Sequence, residues 1–303
     1  MRVTKIETDD SMRELRAHGT SAFPFEYYYD DIHSYDKQYI EYHWHNEFEW
    51  VVVESGTVDC LIGSKHIKLR EGDGIFINSK AIHRFDSENG ALMPNVLFAP
   101  EFISPDTSAI YAEYILPVLQ SGCTHFVLRQ TNEAESVILK TLNTIFKLAA
   151  ENHPPKMDIQ IAVCTLWRDF IKITGGYWNG KNHEQDMLLQ ARIRKMIQFI
   201  TENYTERLTL SDIALSANIS KSEALRCFRR DIQTTPVKYL IDYRLNRAKE
   251  YLISTSDTVT QIAANVGIDN ISYFVRIFTK KFGVTPRAFR VQRNILLSDR
   301  ENV

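Results

Sequence analysis

Cysteine is scarce in this chain and never clustered. Its four copies, Cys60, Cys123, Cys164 and Cys227, stand far apart with no C-x-x-C pair. That excludes a zinc-finger spacing and a disulfide framework, and the four read as small apolar thiols in a reducing compartment. No run of 18 apolar residues occurs, so neither a transmembrane helix nor a membrane partner is expected. The opening MRVTKIETDDSMRE is too charged for a secretion signal, and a cytoplasmic location is expected. A net charge of −2 excludes a uniformly basic protein, yet it conceals a division. From Met187 onward there are 19 Lys+Arg against 11 Asp+Glu, and the remainder holds 17 against 27. A back half at +8 and a front half at −10 point to a polyanion partner for the back alone.

That back half contains one two-helix pattern written twice. LTLSDIALSANISKSEALRCFRRDIQTTP (Leu208 to Pro236) is followed by TVTQIAANVGIDNISYFVRIFTKKFGVTP (Thr258 to Pro286). Ile213 and Ile219 recur 49 positions on as Ile262 and Ile268, whereas Phe228 and Pro236 recur 50 positions on as Phe278 and Pro286. The second copy therefore carries one extra residue near the start of its second helix. In the first copy Ser211 is expected to cap a helix, Asn218 to take the tight turn, and Ser220 to cap the next helix. Ala224, Cys227 and Phe228 form the core stripe of that second helix. Ser222, Leu225, Arg226 and Arg229 then face out, with Arg230 on the flank. In the second copy Gly267 takes the turn, Asp269 the cap, and Phe274, Ile277, Phe278 and Phe282 the core. Ser272, Val275, Arg276 and Thr279 face out, with Asn270 and Ile271 at the leading end.

Arg226 and Arg276 sit at the centre of each open face, where a guanidinium fork can donate twice to guanine O6 and N7. Lys221, Arg229, Arg230, Lys280 and Lys281 suit phosphates. Between the copies, VKYLIDYRLNRAKEYLIS predicts a rod of about 27 Å, close to the roughly 34 Å of one DNA turn. These features, from IA…N-I-S…F-R-R…P-V-K-Y-L through R-L-N-R-A-K-E-Y-L to S-Y-F-V-R-I-F-T-K-K-F-G-V-T-P-R-A-F-R, resemble the DNA-binding domain of AraC/XylS-family transcription regulators over about Leu188 to Arg290. Leu225, where a small or polar residue is usual, and Gln233, where glycine is usual, depart from that pattern.

The front half reads differently. Val51 to Val53, Val58 to Ile62, His66 to Leu69 and Gly74 to Ile77 are short β-rich runs separated by Gly-containing turns, as in a small barrel or sandwich. Thr131 to Ala150 and Asp158 to Ile173 follow with helical stripes, the first of which includes Val137. They pack on the barrel or form a dimer interface. A glycine-rich polar stretch beginning at Thr174 predicts a linker. Within the strands, His43-Trp44-His45 followed by Glu49 and Gly56 spells H-x-H-x3-E-x6-G, and His83 follows a Gly-Asp-Gly turn. This resembles the two cupin motifs, with Asn78 and Lys80 departing from the second. In metal-binding cupins such residues supply three histidines and a carboxylate, a set suited to Zn, Fe, Mn or Ni. Sensor domains of the resembled regulators carry similar residues, often with no metal.

The expected protein is α+β. A cupin-like sensing barrel spans 1–105, a helical dimerisation segment 106–173, a linker 174–186 and an all-α tandem helix-turn-helix domain 187–295. The expected function is DNA-binding transcription regulation, with activation controlled by a small polar effector, by resemblance a carbohydrate, held at His43, His45, Glu49 and His83. No cofactor is required, although those four residues could take a metal. Double-stranded DNA, the effector, a second copy and RNA polymerase are the implied partners. The alternative is a metal-dependent cupin enzyme joined to a DNA-binding domain.

Overall fold

The computed structural model describes residues 6–9, 11–35, 38–63, 65–175, 178 and 182–291, with backbone alone at 182–187. The chain forms two compact units, one reaching Arg192 and including Arg230–Ile232, the other comprising Ile193–Arg229 and the chain from Gln233 on.

Among the described residues, nine antiparallel strands build the first unit: β1 (Phe25–Asp31), β2 (Tyr39–His43), β3 (Phe48–Val52), β4 (Ser55–Ile62), β5 (Lys65–Arg70), β6 (Gly74–Ile77), β7 (His83–Asp86), β8 (Ala91–Phe98) and β9 (His125–Leu128). Their order is β2-β7-β4-β8-β3-β6-β9, with β1 also on β8 and β5 also on β4. The sheet thus recruits a strand 20 residues past the boundary at 105 that β-rich runs alone suggested.

Period-two alternation along β3 divides two cores. Phe48, Trp50 and Val52 face α2 (Glu133–Ala149) and α3 (Lys156–Thr174), which follow the short α1 (Leu116–Gln120). Val51 and Val53 face the barrel interior with Val58, Cys60, Ile75, Ile77 and Phe85. Glu49 lies on that same inner side of β3, which forces a carboxylate into an apolar barrel. A register irregularity between Ile40 and His43 in β2 lets both face inward although they are three residues apart.

The two helices bury Ile138, Leu142, Ile145, Phe146, Ile159, Val163, Trp167 and Phe170 against the sheet, so one stripe of each packs on the barrel. Val137, expected in that stripe, is instead exposed, because the apolar arc of α2 is narrower than its composition suggests. Asn132 caps α2, accepting from the backbone N–H groups of Ala134 and Glu135. The glycine-rich stretch after α3 contains a buried anchor: Trp178 packs 5.4 Å from the Phe170 ring and donates to Thr174 Oγ1. Residues 176, 177 and 179–181 of the expected linker lie outside the described residues. The next helix, α4 (Asn182–Glu202), starts six residues before the expected Leu188.

The second unit holds the rest of α4, then α5 (Leu210–Ser216), most of α6 (Lys221–Ile232), α7 (Pro236–Ser254), α8 (Val259–Asn265) and α9 (Ile271–Phe282), with a helical turn at 286–291. Thr209 caps α5, not Ser211, in a capping box with Asp212. Asn270, not Asp269, caps α9, its side chain accepting from Tyr273 N. In each case the preferred oxygen is the one that reaches the N–H three residues on. Thr258 and Gln261 form the matching box of α8. The extra residue of the second copy is therefore Asp269, set between Ile268 and the cap, so α6 and α9 have equal lengths of 12 residues.

Asn218 and Gly267 take the left-handed turns at φ 54° and 75°. Gln233 ends α6 in the left-handed region at φ 52°, where its counterpart Gly283 has φ 76°. A side chain in that conformation costs roughly 1–2 kcal/mol, and the first copy carries that cost. Phe228, Phe274 and Phe278 are fully buried, each contributing up to about 3 kcal/mol of transfer free energy. Pro at the first turn and Thr235 as cap start α7, whose 19 residues span about 28 Å.

Candidate effector site and nucleic-acid interface

In the first unit, His43, His45, Glu49 and His83 meet inside the barrel, all of them buried. His43 faces His83 across β2 and β7 with rings 4.2 Å apart, and His45 and His83 are 5.2 Å apart. Glu49 Oε2 lies 3.3 Å from His45 Nε2 and 3.0 Å from His83 Nε2. The latter contact is close enough for an ion pair but out of line for a hydrogen bond, so His83 Nε2 has no aligned partner. On its other nitrogen each imidazole meets a backbone carbonyl: His43 Nδ1 to Glu41 O at 2.8 Å, His45 Nδ1 to Glu47 O at 3.2 Å, His83 Nδ1 to Ala81 O at 2.9 Å. A carbonyl only accepts, so each Nδ1 donates and each Nε2 turns inward, that of His45 bonding Glu49 Oε2.

Burial sets the electrostatics of this cluster. It depresses the His43 pKa to about 3, helped by the neighbouring His83 charge. Burial alone would raise the Glu49 carboxyl, but the charge of His83 and the hydrogen bond from His45 outweigh it and hold the group well below the usual carboxylate range. Conversely, burial would lower His83, and the charge of Glu49 overrides it, leaving a raised pKa.

Two residues that sequence reasoning missed complete the site. Glu14 Oε2 sits 3.4 Å from His18 Nε2 and 3.9 Å from His43 Nε2. They belong to an N-terminal segment laid across the barrel by backbone bonds from Glu14 N to Trp44 O and from Trp44 N to Met12 O. Only their i, i+4 spacing hinted at a pair, and nothing local linked them to residue 43. A cavity of about 30 Å3 lies here, lined by Glu14, His18, Asp30, His43, Glu49 and Asn95 among others. It has room for about two water molecules.

In the second unit, the side chain of Arg226 is 71% exposed and Arg276 is exposed at the matching position, each six residues past its cap. The Arg226 guanidinium donates through Nη2 to Glu223 Oε1 at 2.8 Å, and Arg276 lies over the Tyr273 ring at 5.5 Å. Lys221, Ser222, Arg229, Ser272 and Lys280 are exposed, Leu225 and Thr279 half-buried. Ile271 and Val275 pack partly on the second core, and Asn270 spends its carbonyl oxygen on the cap. Arg230 pairs with the adjacent Asp231 at 2.6 Å. Lys281 Nζ is tied to Asp242, 3.0 Å from its carbonyl and 3.2 Å from its carboxylate. Between the two lysines, Lys280→Ala is therefore expected to lower the salt slope of DNA binding by about one, and Lys281→Ala by clearly less. Equal slopes in salt titrations of the two variants would contradict this.

A barrel with a buried polar cluster, joined to two matched helix-turn-helix units, defines an effector-responsive DNA-binding regulator. Residues 31–115 match the family model of the AraC-like ligand binding domain, and residues 213–292 match that of a helix-turn-helix domain. The chain belongs to the AraC family of transcription regulators. It is 27% identical over 291 residues to an uncharacterized HTH-type transcriptional regulator, YdeC, of Bacillus subtilis, covering 93% of this chain and 97% of that one. It is 23% identical to the HTH-type transcriptional activator RhaS of Yersinia pestis, covering 82% and 89%. A solved regulator with an AraC-type DNA-binding domain from Chromobacterium violaceum is 32% identical, covering 34% of this chain and 93% of that one, with a TM-score of 0.33. Proteins of this family are not enzymes, and the cupin-enzyme alternative falls. Among the described residues no helix is long and apolar enough to cross a membrane.

Proposed function

We propose that this protein is a cytoplasmic, sequence-specific transcription activator governed by a small polar effector in its barrel, a carbohydrate being the first class to try. The observation that carries the DNA-reading half is the pair of exposed arginines at equivalent positions on two recognition helices of equal length. Arg226 and Arg276 read guanine, flanked by Ser222, Leu225, Ser272, Val275 and Thr279. Lys221, Arg229 and Lys280 hold phosphates, with a smaller share for Arg230 and Lys281, each already paired with a carboxylate. Asn270 and Ile271 set the leading end of the second helix.

The effector half rests on His43, His45, Glu49 and His83, polar groups converging in an otherwise apolar barrel. At about 30 Å3 the cavity is small, and withdrawal of the segment carrying Glu14 and His18 would enlarge it. An effector that binds better with the segment displaced shifts the population toward that arrangement. Exposed Val137 on α2 with Met157 and Ile161 on α3 supports a homodimer through the outer faces of these helices. An activator also meets RNA polymerase.

The test is a thermal-shift screen of the full chain against sugars and other polar metabolites, followed by operator titration with each hit. A true effector changes operator affinity or transcription by about 5-fold or more. Identical affinity and transcription with and without every stabilising hit would overturn the effector reading.

A further inference from the structure

We propose that Arg244 sets the relative orientation of the two recognition helices, and with it the half-site spacing that the protein accepts. This goes beyond the reading of α6 and α9 as DNA-reading helices and rests on it. α7 joins the two copies end to end, and a helix fixes the distance between them. It leaves each copy able to turn on the short connection at its own end of the rod, 233–235 or 255–258. Base reading tolerates little of that turning, because one added base pair moves a groove by about 3.4 Å and about 35°.

A brace across the joint removes this freedom, and the middle of α7 supplies one. The Arg244 guanidinium donates through Nε to Tyr204 O at 2.7 Å and through Nη2 to Glu206 O at 2.6 Å. Those carbonyls belong to the segment that enters α5, the first helix of the first copy, just ahead of its cap Thr209. The same segment is lodged in the second copy. Tyr204 packs on the second core, against the buried cluster of Leu245, Ile262, Phe274 and Phe278, and its ring stands 5.0 Å from that of Tyr243. The left-handed turn at Gly267 presses so closely that a β-carbon there would lie 2.6 Å from Thr205 O and 2.9 Å from Arg244 Nη2. One side chain of the rod thus meets both the entry to the first copy and the turn of the second.

Two donors in a rigid fork fix an angle as well as a distance, which a lysine ammonium on its flexible stem does not. The second copy also supplies a counter-charge. Burial lowers the Arg244 pKa from its ordinary value, and the charge of Asp269 opposes that shift. Asp269 is the residue that the second copy has in excess of the first, so the added residue bears on the brace itself.

The experiment uses the full chain. Selection from random duplexes with the unaltered protein yields a two-half-site operator, from which a series is made with base pairs added or removed between the half-sites. Affinity of the unaltered chain is expected to fall about 10-fold or more for a single added base pair. In Arg244→Gln that penalty is expected to shrink below about 3-fold, with affinity for a duplex holding one half-site within about 2-fold of the unaltered chain. Arg244→Lys is expected to fall between the two. Circular dichroism establishes that each variant folds. An unchanged spacing profile in Arg244→Gln, or in Arg244→Lys where that variant alone folds, overturns the proposal. So does a loss on the single half-site as large as the loss on the full operator, the mark of a merely structural residue. An unaltered chain that binds a two-part site equally at every spacing removes this proposal alone, whereas one that selects no such site removes the reading of the helices beneath it.

Discussion

Replacement of Arg276 by alanine is expected to weaken binding to the cognate operator by about 5- to 150-fold, the equivalent of about 1–3 kcal/mol. The same change relaxes base preference at one position and leaves binding to random DNA nearly unchanged. Arg276 is exposed on α9 and stacks on Tyr273, so its removal opens no cavity and its guanidinium supports no buried partner. Melting temperature therefore stays within about 2 °C of the unaltered chain, since surface changes usually lie within about 0.5 kcal/mol. Competition against a set of single-base operator variants separates the outcomes. Uniform loss across all variants would reassign Arg276 to a phosphate, and a lowered melting temperature with unchanged binding would make it structural.

The second large effect concerns the turn of the second copy. Gly267→Ala is expected to destabilise the DNA-binding unit by about 3 kcal/mol. A β-carbon at φ 75° would meet Thr205 O at 2.6 Å and Tyr204 O at 2.9 Å. The backbone there has little freedom to yield, because Arg244 bonds the carbonyls on either side of Thr205, Tyr204 O at 2.7 Å and Glu206 O at 2.6 Å. Left-handed strain of about 1–2 kcal/mol and a clash of similar size add up to that figure. Gly283→Ala provides the comparison, since it has a similar φ of 76° but no atom within 4 Å of the new carbon. It should cost only about 1 kcal/mol. Denaturant titration of both variants checks the ranking. Equal losses would mean that conformational strain alone, and not contact with the preceding turn, demands glycine at 267.

Much of this was legible because the informative residues are close in sequence. Thr209 to Ile232 and Thr258 to Phe282 each fold within some 25 positions, so periodicity, turn residue and open face could be read together. His43, His45 and Glu49 share one short motif, and strand pairing brings His83 opposite His43. What escaped depends on long-range geometry. Glu14 reaches the site only because the N-terminal segment crosses the barrel at Trp44. β9 joins β6 from beyond a helical stretch, and Trp178 hides an aromatic anchor among glycines and polar residues. The caps at Thr209 and Asn270 were missed for a finer reason. Ser211 and Asp269 are chemically as capable, and only backbone direction decides which oxygen meets the N–H.

Placing the additional residue at Asp269, ahead of the cap and outside the helix, has a consequence for rewiring this regulator. α6 and α9 keep the same phase, so residues 221–232 and 271–282 are interchangeable cassettes at the level of backbone. What blocks a direct transplant is the interior: Ala224 stands where the other copy has Phe274, Cys227 where it has Ile277, and the buried Asp231 where it has Lys281. A graft that moves only the outward residues between the two scaffolds would carry base preference with it and leave both interiors untouched.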